Sequence, residues 1–256
     1  MTEENTKRLD SLLSDRGFCA RRKVEEFLHA NSVMLNGNRV TESGIRVDFD
    51  KDSLVVNGKE VELKQNEKDL VYYALNKPKG ILSAASDNPK RRTVMSLVPS
   101  KVRVYPVGKL DEQSTGLILL TNDGDLAHKL THPRYSIQKK YFVWAVGVPS
   151  EKRLDKIRSG LKLQEGWIKP TSVTVLKTSP KRTLVEIILN EGTNHQIRGM
   201  FSKVGINIVE LKRIAIGTLE LAHLGLGQYR ALSKTELESL KNEVEKQANL
   251  AEQTEE

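Results

Sequence analysis

The sequence has very little of the residues that mark secreted and membrane proteins. Cys19 is its single cysteine, so no disulfide can form within the chain, and this suits a reducing cytosol. The first residues are acidic and polar, which argues against a secretory signal peptide. No apolar run approaches the roughly 20 residues that a membrane-spanning helix needs. We therefore expect a soluble, cytoplasmic protein without a membrane partner.

Positive charge, in contrast, is plentiful. The 256 residues carry a formal charge of +8, and a basic balance favours an anionic partner, with nucleic acid first. Acids and bases nearly cancel up to Lys64, so the surplus lies in the second part of the chain. The surplus there includes Lys77, Lys79, Lys90, Arg91, Arg92, Lys101, Arg103, Lys109, Arg134, Lys139 and Lys140. Many of them lie in predicted loops, where they can converge on one face.

A wholly polar segment, residues 64–69, is predicted to link two domains. Before it, apolar residues at helical spacing predict two short helices, near residues 9–13 and 24–28, and Gly17 can end the first. Two Asn-Gly dipeptides then predict β-hairpins, at Asn36-Gly37 and Asn57-Gly58. The first part therefore has the pattern of a small helix-and-hairpin domain.

The second part, residues 69–240, is rich in strand patterns. We predict strands at Leu70–Leu75, Gly116–Leu120, Tyr141–Val146, Val173–Leu176 and Leu184–Leu189, and helices near Asp125–Leu130, Glu151–Ser159 and His195–Val204. Strands and helices do not alternate regularly, so the predicted fold class is α+β with a mixed, mostly antiparallel sheet. Residues 241–256 lack a periodic apolar face and end in acid, which predicts a disordered tail.

The most informative string runs from Gly108 to Gly124: a loop with a carboxylate, an apolar strand and an Asn-Asp-Gly turn. Taken alone, Asp111 would more readily be a turn or cap aspartate. The whole string, however, closely resembles Gly-Arg-Leu-Asp-x-x-Thr-x-Gly-Leu-Leu-Leu-Leu-Thr-Asn-Asp-Gly, the pattern of the RsuA/RluB/E/F family of ribosomal RNA pseudouridine synthases. The resemblance implies that Asp111 is the catalytic nucleophile. It also implies that Ser114 and Lys109 contact the substrate, although Lys109 replaces the usual arginine and loses its planar contact with phosphate.

Two further strings resemble the same family. Lys139-Lys140-Tyr141 matches a Lys-x-Tyr whose tyrosine stacks on the target base, so the resemblance gives Tyr141 that role. Residues 189–200 match Glu-Gly-x-x-His-Gln-Ile-Arg-Arg-Met, which makes Arg198 the ion partner of Asp111. Gly199 stands in place of the second arginine, and His195 is expected to form a helix-start hydrogen bond. Leu110 and Ile197 are expected to form an apolar wall that keeps water out.

Shorter signatures extend the resemblance to residues 6–232. An Asn-Lys-Pro-x-Gly string and an Arg-x-Thr-Val loop supply the expected substrate contacts Lys77, Lys79, Arg91 and Arg92. Residues 6–64 resemble an S4 RNA-binding domain, in which the basic residues of the two helices face RNA. The expected RNA contacts there are Arg8, Arg21, Arg22 and Lys23.

The implied reaction breaks the glycosidic bond of a uridine, rotates the base and rejoins it through C5, so no cofactor is expected. His128 and His132 are four residues apart, but no acid or cysteine supports a metal site, and none is expected. The expected partner is ribosomal RNA, with the large subunit favoured by the Asn-His-Gln-Ile-Arg string, and the chain is expected to act as a monomer. Two alternatives stay open: a non-enzymatic RNA-binding protein that kept the fold, and an unrelated acid–base hydrolase.

Overall fold

The computed structural model describes residues 5–64, 67–85, 91–164, 166–190 and 196–253. The chain forms two compact units. The first extends to Leu70 and also includes Asn122–Gly124, and the second comprises Val71–Thr121 and the residues from Asp125 onward. In the described part of the chain, no helix has both the length and the apolar character needed to cross a membrane.

The first unit contains two short helices and two small sheets. Its elements are β1 (Thr6–Arg8), α1 (Leu9–Asp15), α2 (Val24–Ala30), β2 (Val33–Leu35), β3 (Asn38–Arg39), β4 (Arg46–Asp48), β5 (Leu54–Val56) and β6 (Lys59–Val61). Strand β1 pairs with β4, and the other four form an antiparallel sheet in the order β3-β2-β5-β6. Both Asn-Gly hairpins are confirmed, because Asn36, Gly37, Asn57 and Gly58 all have positive φ, as two-residue hairpin turns require. Leucines of both helices pack with valines of the strands in one core.

The second unit is built on a nine-stranded sheet. Its elements are β7 (Tyr72–Lys77), β8 (Tyr105–Val107), β9 (Thr115–Thr121), α3 (Gly124–Thr131), β10 (Lys139–Val146), α4 (Glu151–Ser159), β11 (Leu161–Leu163), β12 (Gly166–Ile168), β13 (Ser172–Thr178), β14 (Arg182–Leu189), α5 (Gln196–Lys203), β15 (Ile208–Ile216), β16 (Leu219–Glu220), β17 (Tyr229–Ala231) and α6 (Lys234–Gln253). The strand order is β13-β14-β10-β15-β9-β7-β17, with β16 on β15 and β8 on β9. Only β15 and β9 are parallel among these described pairs, so the predicted α+β class is confirmed.

Helices α4 and α5 cover one face of this sheet. Leu154 and Ile157 of α4, and Met200 and Phe201 of α5, share a hydrophobic core with strand residues such as Val143. Each of these five side chains is at most 1% exposed. Since a packed interior fixes the position of the elements that build it, α5 is held firmly against the sheet.

The sequence analysis missed β15, although this strand lies in the middle of the sheet. Its buried positions include Leu211 and Ala215, but Arg213 lies between them and is only 4% exposed. A buried arginine breaks the alternation of apolar and polar residues by which half-buried strands are recognised. This charged residue hid the strand.

The prediction of a disordered tail over residues 241–256 is wrong for its described part. Helix α6 continues to Gln253, and Leu240, Val244 and Ala248 are buried. These residues are four apart and form a narrow apolar stripe on one helix face. The stripe ends in a small alanine and is surrounded by charged residues, which is why the composition suggested disorder. Residues 254–256 lie outside the described part.

Candidate active site

A row of paired residues crosses the middle of the large sheet. Lys77 pairs with Gly116, Gly116 with Arg213, and Arg213 with Tyr141, on strands β7, β9, β15 and β10. Directly paired residues point to the same face of a sheet. Lys77 and Arg213 therefore lie on one face, Tyr141 follows beside a register shift between β10 and β15, and this row forms the floor of the site.

Gly116 lets the two parallel strands approach closely. Its φ is +107°, and a Cβ there would lie 2.1 Å from the carbonyl oxygen of Arg213. No other residue could adopt this backbone conformation and leave the strand pair intact. The glycine thus fixes where β9 begins, directly after the loop that carries Asp111.

The loop carrying Asp111 is anchored at both ends. Before the aspartate, the Ser83 hydroxyl donates to the Leu110 carbonyl at 2.9 Å and accepts from the Leu110 N–H at 3.1 Å. After it, the N–H of Ser114 donates to the carbonyl of Asp111 at 3.0 Å. These bonds keep the backbone on either side of the carboxylate in place.

Lys77 supports the same loop from inside the protein. It is 0% exposed, and its ammonium group donates to the carbonyls of Pro78 at 2.9 Å and Glu112 at 3.4 Å. The N–H of Gly80 also donates to Glu112 O, at 2.9 Å. Burial lowers the pKa of Lys77 to about 8, although Asp111 and Glu112 act to raise it. The substrate contact expected of Lys77 stays a prediction, since in this structure its charged end donates to the loop.

The Asp111 carboxylate lies beside a guanidinium. Arg198, near the start of α5, places Nε 3.6 Å from Asp111 Oδ2 and donates through Nη2 to Gln113 O at 3.2 Å and Ser114 Oγ at 3.3 Å. The Ser114 hydroxyl in turn lies 3.4 Å from Asp111 Oδ2. The Asp111 and Arg198 side chains are 18% and 27% exposed. A partly desolvated pair of this kind keeps the carboxylate oriented while leaving it open to a substrate.

The two residues expected to form the apolar wall also come together with the expected stacking tyrosine. Leu110, Tyr141 and Ile197 belong to one hydrophobic cluster and are 7%, 7% and 4% exposed. Leu110 directly precedes Asp111 and Ile197 directly precedes Arg198. The ion pair therefore lies at the edge of an apolar core.

The other expected substrate contacts lie outside this group. Arg91 forms an ion pair with Glu112, the residue directly after Asp111, and keeps 54% of its side chain exposed. Lys79, Arg92 and Lys109 are exposed. His195 lies outside the described residues.

In the first unit, two of the expected RNA contacts meet at an acid that the sequence analysis did not identify. Asp10 accepts from Arg8 Nε at 3.3 Å and from Arg21 Nε at 3.0 Å. Burial acts to raise the pKa of Asp10, but the hydrogen bond from Arg21 and the other local contacts keep it below its usual value. The sequence signal was Asp10 itself, which follows Arg8 by two residues at the start of α1. Arg22 and Lys23 are exposed.

Within the described residues, no three metal-binding side chains converge. The rings of His128 and His132 lie in tilted contact with centroids 5.0 Å apart, and His132 Nδ1 accepts the N–H of Arg134. One ring nitrogen of the pair is thus already used in holding a turn.

Comparisons with known proteins identify the class. Residues 71–203 match the family described as RNA pseudouridylate synthase, so the chain is an RNA isomerase. The chain belongs to this family. It is 37% identical over 238 residues to the ribosomal large subunit pseudouridine synthase B of Bacillus subtilis, covering 92% of this chain and 96% of that one. An uncharacterized RNA pseudouridine synthase of Aquifex aeolicus is 35% identical, with 91% and 93% covered. A crystal structure of a pseudouridylate synthase superposes with a TM-score of 0.62 at 26% identity, with 91% and 99% covered.

Proposed function

We propose that this chain converts a uridine of large-subunit ribosomal RNA to pseudouridine, with Asp111 as the nucleophile and without a cofactor. The observation that carries the proposal is the Asp111–Arg198 pair, in which Nε and Oδ2 are 3.6 Å apart on an anchored loop. The alignment with the synthase of Bacillus subtilis, named for the large ribosomal subunit, supports the choice of RNA.

The chemistry assigns one task to each group. The C1′–N1 bond breaks, the base turns, and C5 bonds to C1′ while its proton is lost and N1 gains one, so atoms balance without an oxidant or a group donor. Asp111 supplies the nucleophile, to the sugar or to the base. Arg198 orients the carboxylate, because its guanidinium lies beside Asp111 Oδ2 and is itself held by Gln113 and Ser114. Tyr141 offers an aromatic face to the displaced base, and stacking on such a face accepts any base.

Two other functions fit the molecule less well. An acid–base hydrolase needs a second acid or a histidine against Asp111. The neighbouring Glu112 is instead paired with Arg91. A non-enzymatic RNA-binding protein would have no use for a partly buried acid beside an arginine, since such a pair adds little affinity for phosphate.

The first unit supports RNA binding. Asp10 holds Arg8 and Arg21 side by side, while 51% and 61% of these two side chains remain exposed. A pair of fixed guanidinium groups is suited to phosphates, which they can contact bidentately. We infer that residues 6–64 act as an S4-like module that positions the RNA.

The experiment is to map pseudouridines in ribosomal and transfer RNA from cells with and without this protein. We expect at least one site in large-subunit RNA to lose its pseudouridine without the protein and to regain it when the wild-type gene is restored. A change confined to small-subunit or transfer RNA would overturn the choice of substrate. An unchanged pseudouridine map would overturn the proposed function.

A further inference from the structure

A second site lies at the two strand ends that carry the catalytic loop. A pocket of about 580 Å³ is lined by Asn76 and Pro78–Lys79 at the end of β7, by Thr115 at the start of β9, and by Lys212 of β15. The strand residues that line the pocket directly precede residues of the row that forms the floor of the active site. Asn76 precedes Lys77, Thr115 precedes Gly116, and Lys212 precedes Arg213. Since successive residues of a strand point to opposite faces, this pocket lies on the other face of the sheet.

We propose that this pocket binds an unpaired nucleotide of the RNA substrate, adjacent to the uridine that is isomerised. The proposal rests on the proposed function, because it assigns a further contact to the same RNA. The first support is that the residues lining the pocket are continuous along the chain with those that hold the Asp111 loop. Lys79 lies between Pro78, whose carbonyl accepts from Lys77, and Gly80, whose N–H donates to Glu112 O in the catalytic loop. Thr115 directly follows Ser114, which contacts Arg198.

The pocket has the chemical features that a nucleotide requires. Lys79 and Lys212 outnumber Glu210, so the rim carries surplus positive charge for a phosphate. Leu224 and Leu226 supply apolar surface for the face of a base, and Leu226 is 62% exposed. A volume of this size is in the range of ordinary small-molecule pockets.

The floor of the pocket favours a polar occupant. Asn76 Oδ1 and Thr115 Oγ1 have no hydrogen-bond partner within the described part of the chain, although both residues are at most 4% exposed. Buried polar atoms are normally paired, so two such atoms beneath one pocket point to a ligand with hydrogen-bonding groups. The edge of an unstacked base provides them.

The apolar wall is preformed. Asn76 Nδ2 donates to Leu224 O at 2.8 Å, the Asn76 N–H donates to Gln228 O at 3.0 Å, and the Asn76 carbonyl accepts from Gly227 at 2.8 Å. One buried asparagine thus holds both ends of the loop that carries Leu226. A rigid wall costs little conformational entropy on binding.

The test measures RNA binding to the full-length chain by fluorescence anisotropy. The probes are labelled heptauridylate, heptauridylate with an abasic residue on one side or the other of the central uridine, and free uridine monophosphate. For the wild type, we expect an abasic residue on one side to weaken binding about tenfold, because stacking of that base is lost. Leu226→Ala should weaken binding of the intact probe by a similar factor and abolish the abasic effect. The control Val148→Ala, at an equally exposed position, should behave like the wild type.

A second arm removes the rim charges. Lys79→Gln with Lys212→Gln should reduce the salt dependence of binding by about 1.4 logarithmic units per decade of salt, since each phosphate contact in a single strand contributes about 0.7. Lys152→Gln with Lys156→Gln, two exposed lysines of α4, should leave it unchanged. The proposal would be overturned if the pocket variants kept the wild-type affinity, salt dependence and abasic effect. It would also be overturned if uridine monophosphate bound as tightly as the oligonucleotide. These readouts do not depend on catalysis, so failure of the proposed function, seen as an unchanged pseudouridine map, is a separate result.

Discussion

The basic residues of the two units are held in contrasting environments. In the first unit, Arg8 and Arg21 contact Asp10 but keep half or more of their side chains exposed. In the second, Lys77 and Arg213 are 0% and 4% exposed and donate to backbone carbonyls. Exposed guanidinium groups can meet phosphates, whereas buried cations can only support the protein itself. We therefore expect burial, rather than residue type, to separate RNA contacts from internal supports.

Among the basic residues, the largest effect should come from the arginine that combines both environments. Arg198→Met removes the charge beside Asp111 and the bonds to Gln113 and Ser114. We expect the rate of pseudouridine formation to fall about 100-fold or more, as for the loss of one preorganised electrostatic contact. RNA affinity should change little. The control is Arg158→Met, on the surface of α4. Wild-type turnover by the Arg198 variant would show that the pair has no catalytic role.

The contrast between buried and exposed lysines can be tested within one short segment. Lys77→Met should lower kcat about tenfold without changing RNA affinity, because the loop loses an internal hydrogen-bond donor. Lys79→Met, two residues away and exposed, should weaken RNA binding and leave kcat unchanged. Steady-state kinetics and binding measurements on the two variants are sufficient. If Lys77→Met weakens binding and Lys79→Met slows turnover, the assignment by burial is wrong.

The exposed arginines of the first unit should affect binding alone. Arg8→Ala with Arg21→Ala is expected to weaken binding of structured ribosomal RNA about tenfold and to flatten its salt dependence, because fewer counterions are released. Turnover at saturating RNA should stay at the wild-type level. Lys59→Ala, at an exposed position of β6, is the matched control. An unchanged salt dependence in the double variant would remove these arginines from the RNA interface.

The smallest effect should be a change in stability with pH. Burial and the neighbouring Arg213 lower the pKa of Lys139 to about 8, while Glu243 acts to raise it. Below that pH both the folded and the unfolded chain hold the proton, so the full cost of burying the charge applies. As pH rises from about 8 towards 10.5, the unfolded chain binds more protons than the folded one, and this group's contribution makes the folded state more stable. Urea unfolding at neutral pH and near pH 9.5 should show that Lys139→Met reduces this rise. If the unfolding free energy of the variant changed with pH as that of the wild type does, this would contradict a Lys139 that is buried and charged below about pH 8.

Much of the fold could be predicted from local patterns, and the failures have physical causes. Helix α4 has the predicted bounds, Glu151–Ser159, because its apolar residues follow a clear helical period. Strand β15 was missed because Arg213 occupies a buried position. The end of α6 was missed because its apolar stripe is only one residue wide per turn.

The site divides in the same way. The resemblance predicted that Asp111 and Arg198 would meet, and the structure brings them together. It could not reveal that Lys77 is buried, since a single sequence does not say which end of a long side chain water reaches. The role of Ser83 depends on contacts with a residue distant in sequence. The role of Asp10 depends on the contacts of an ordinary polar side chain, which no sequence pattern marks.

The nucleophile is tested most directly by Asp111→Asn, which keeps the size of the side chain but removes its charge. Tritium release from ribosomal RNA labelled at uracil C5 reports the chemistry, filter binding reports affinity, and thermal melting reports folding. Asp155→Asn, on the exposed side of α4, is the control. We predict that the Asp111 variant folds and binds RNA but releases no tritium, because a neutral amide cannot act as the nucleophile. Tritium release near the wild-type rate by a folded Asp111→Asn variant would contradict the account.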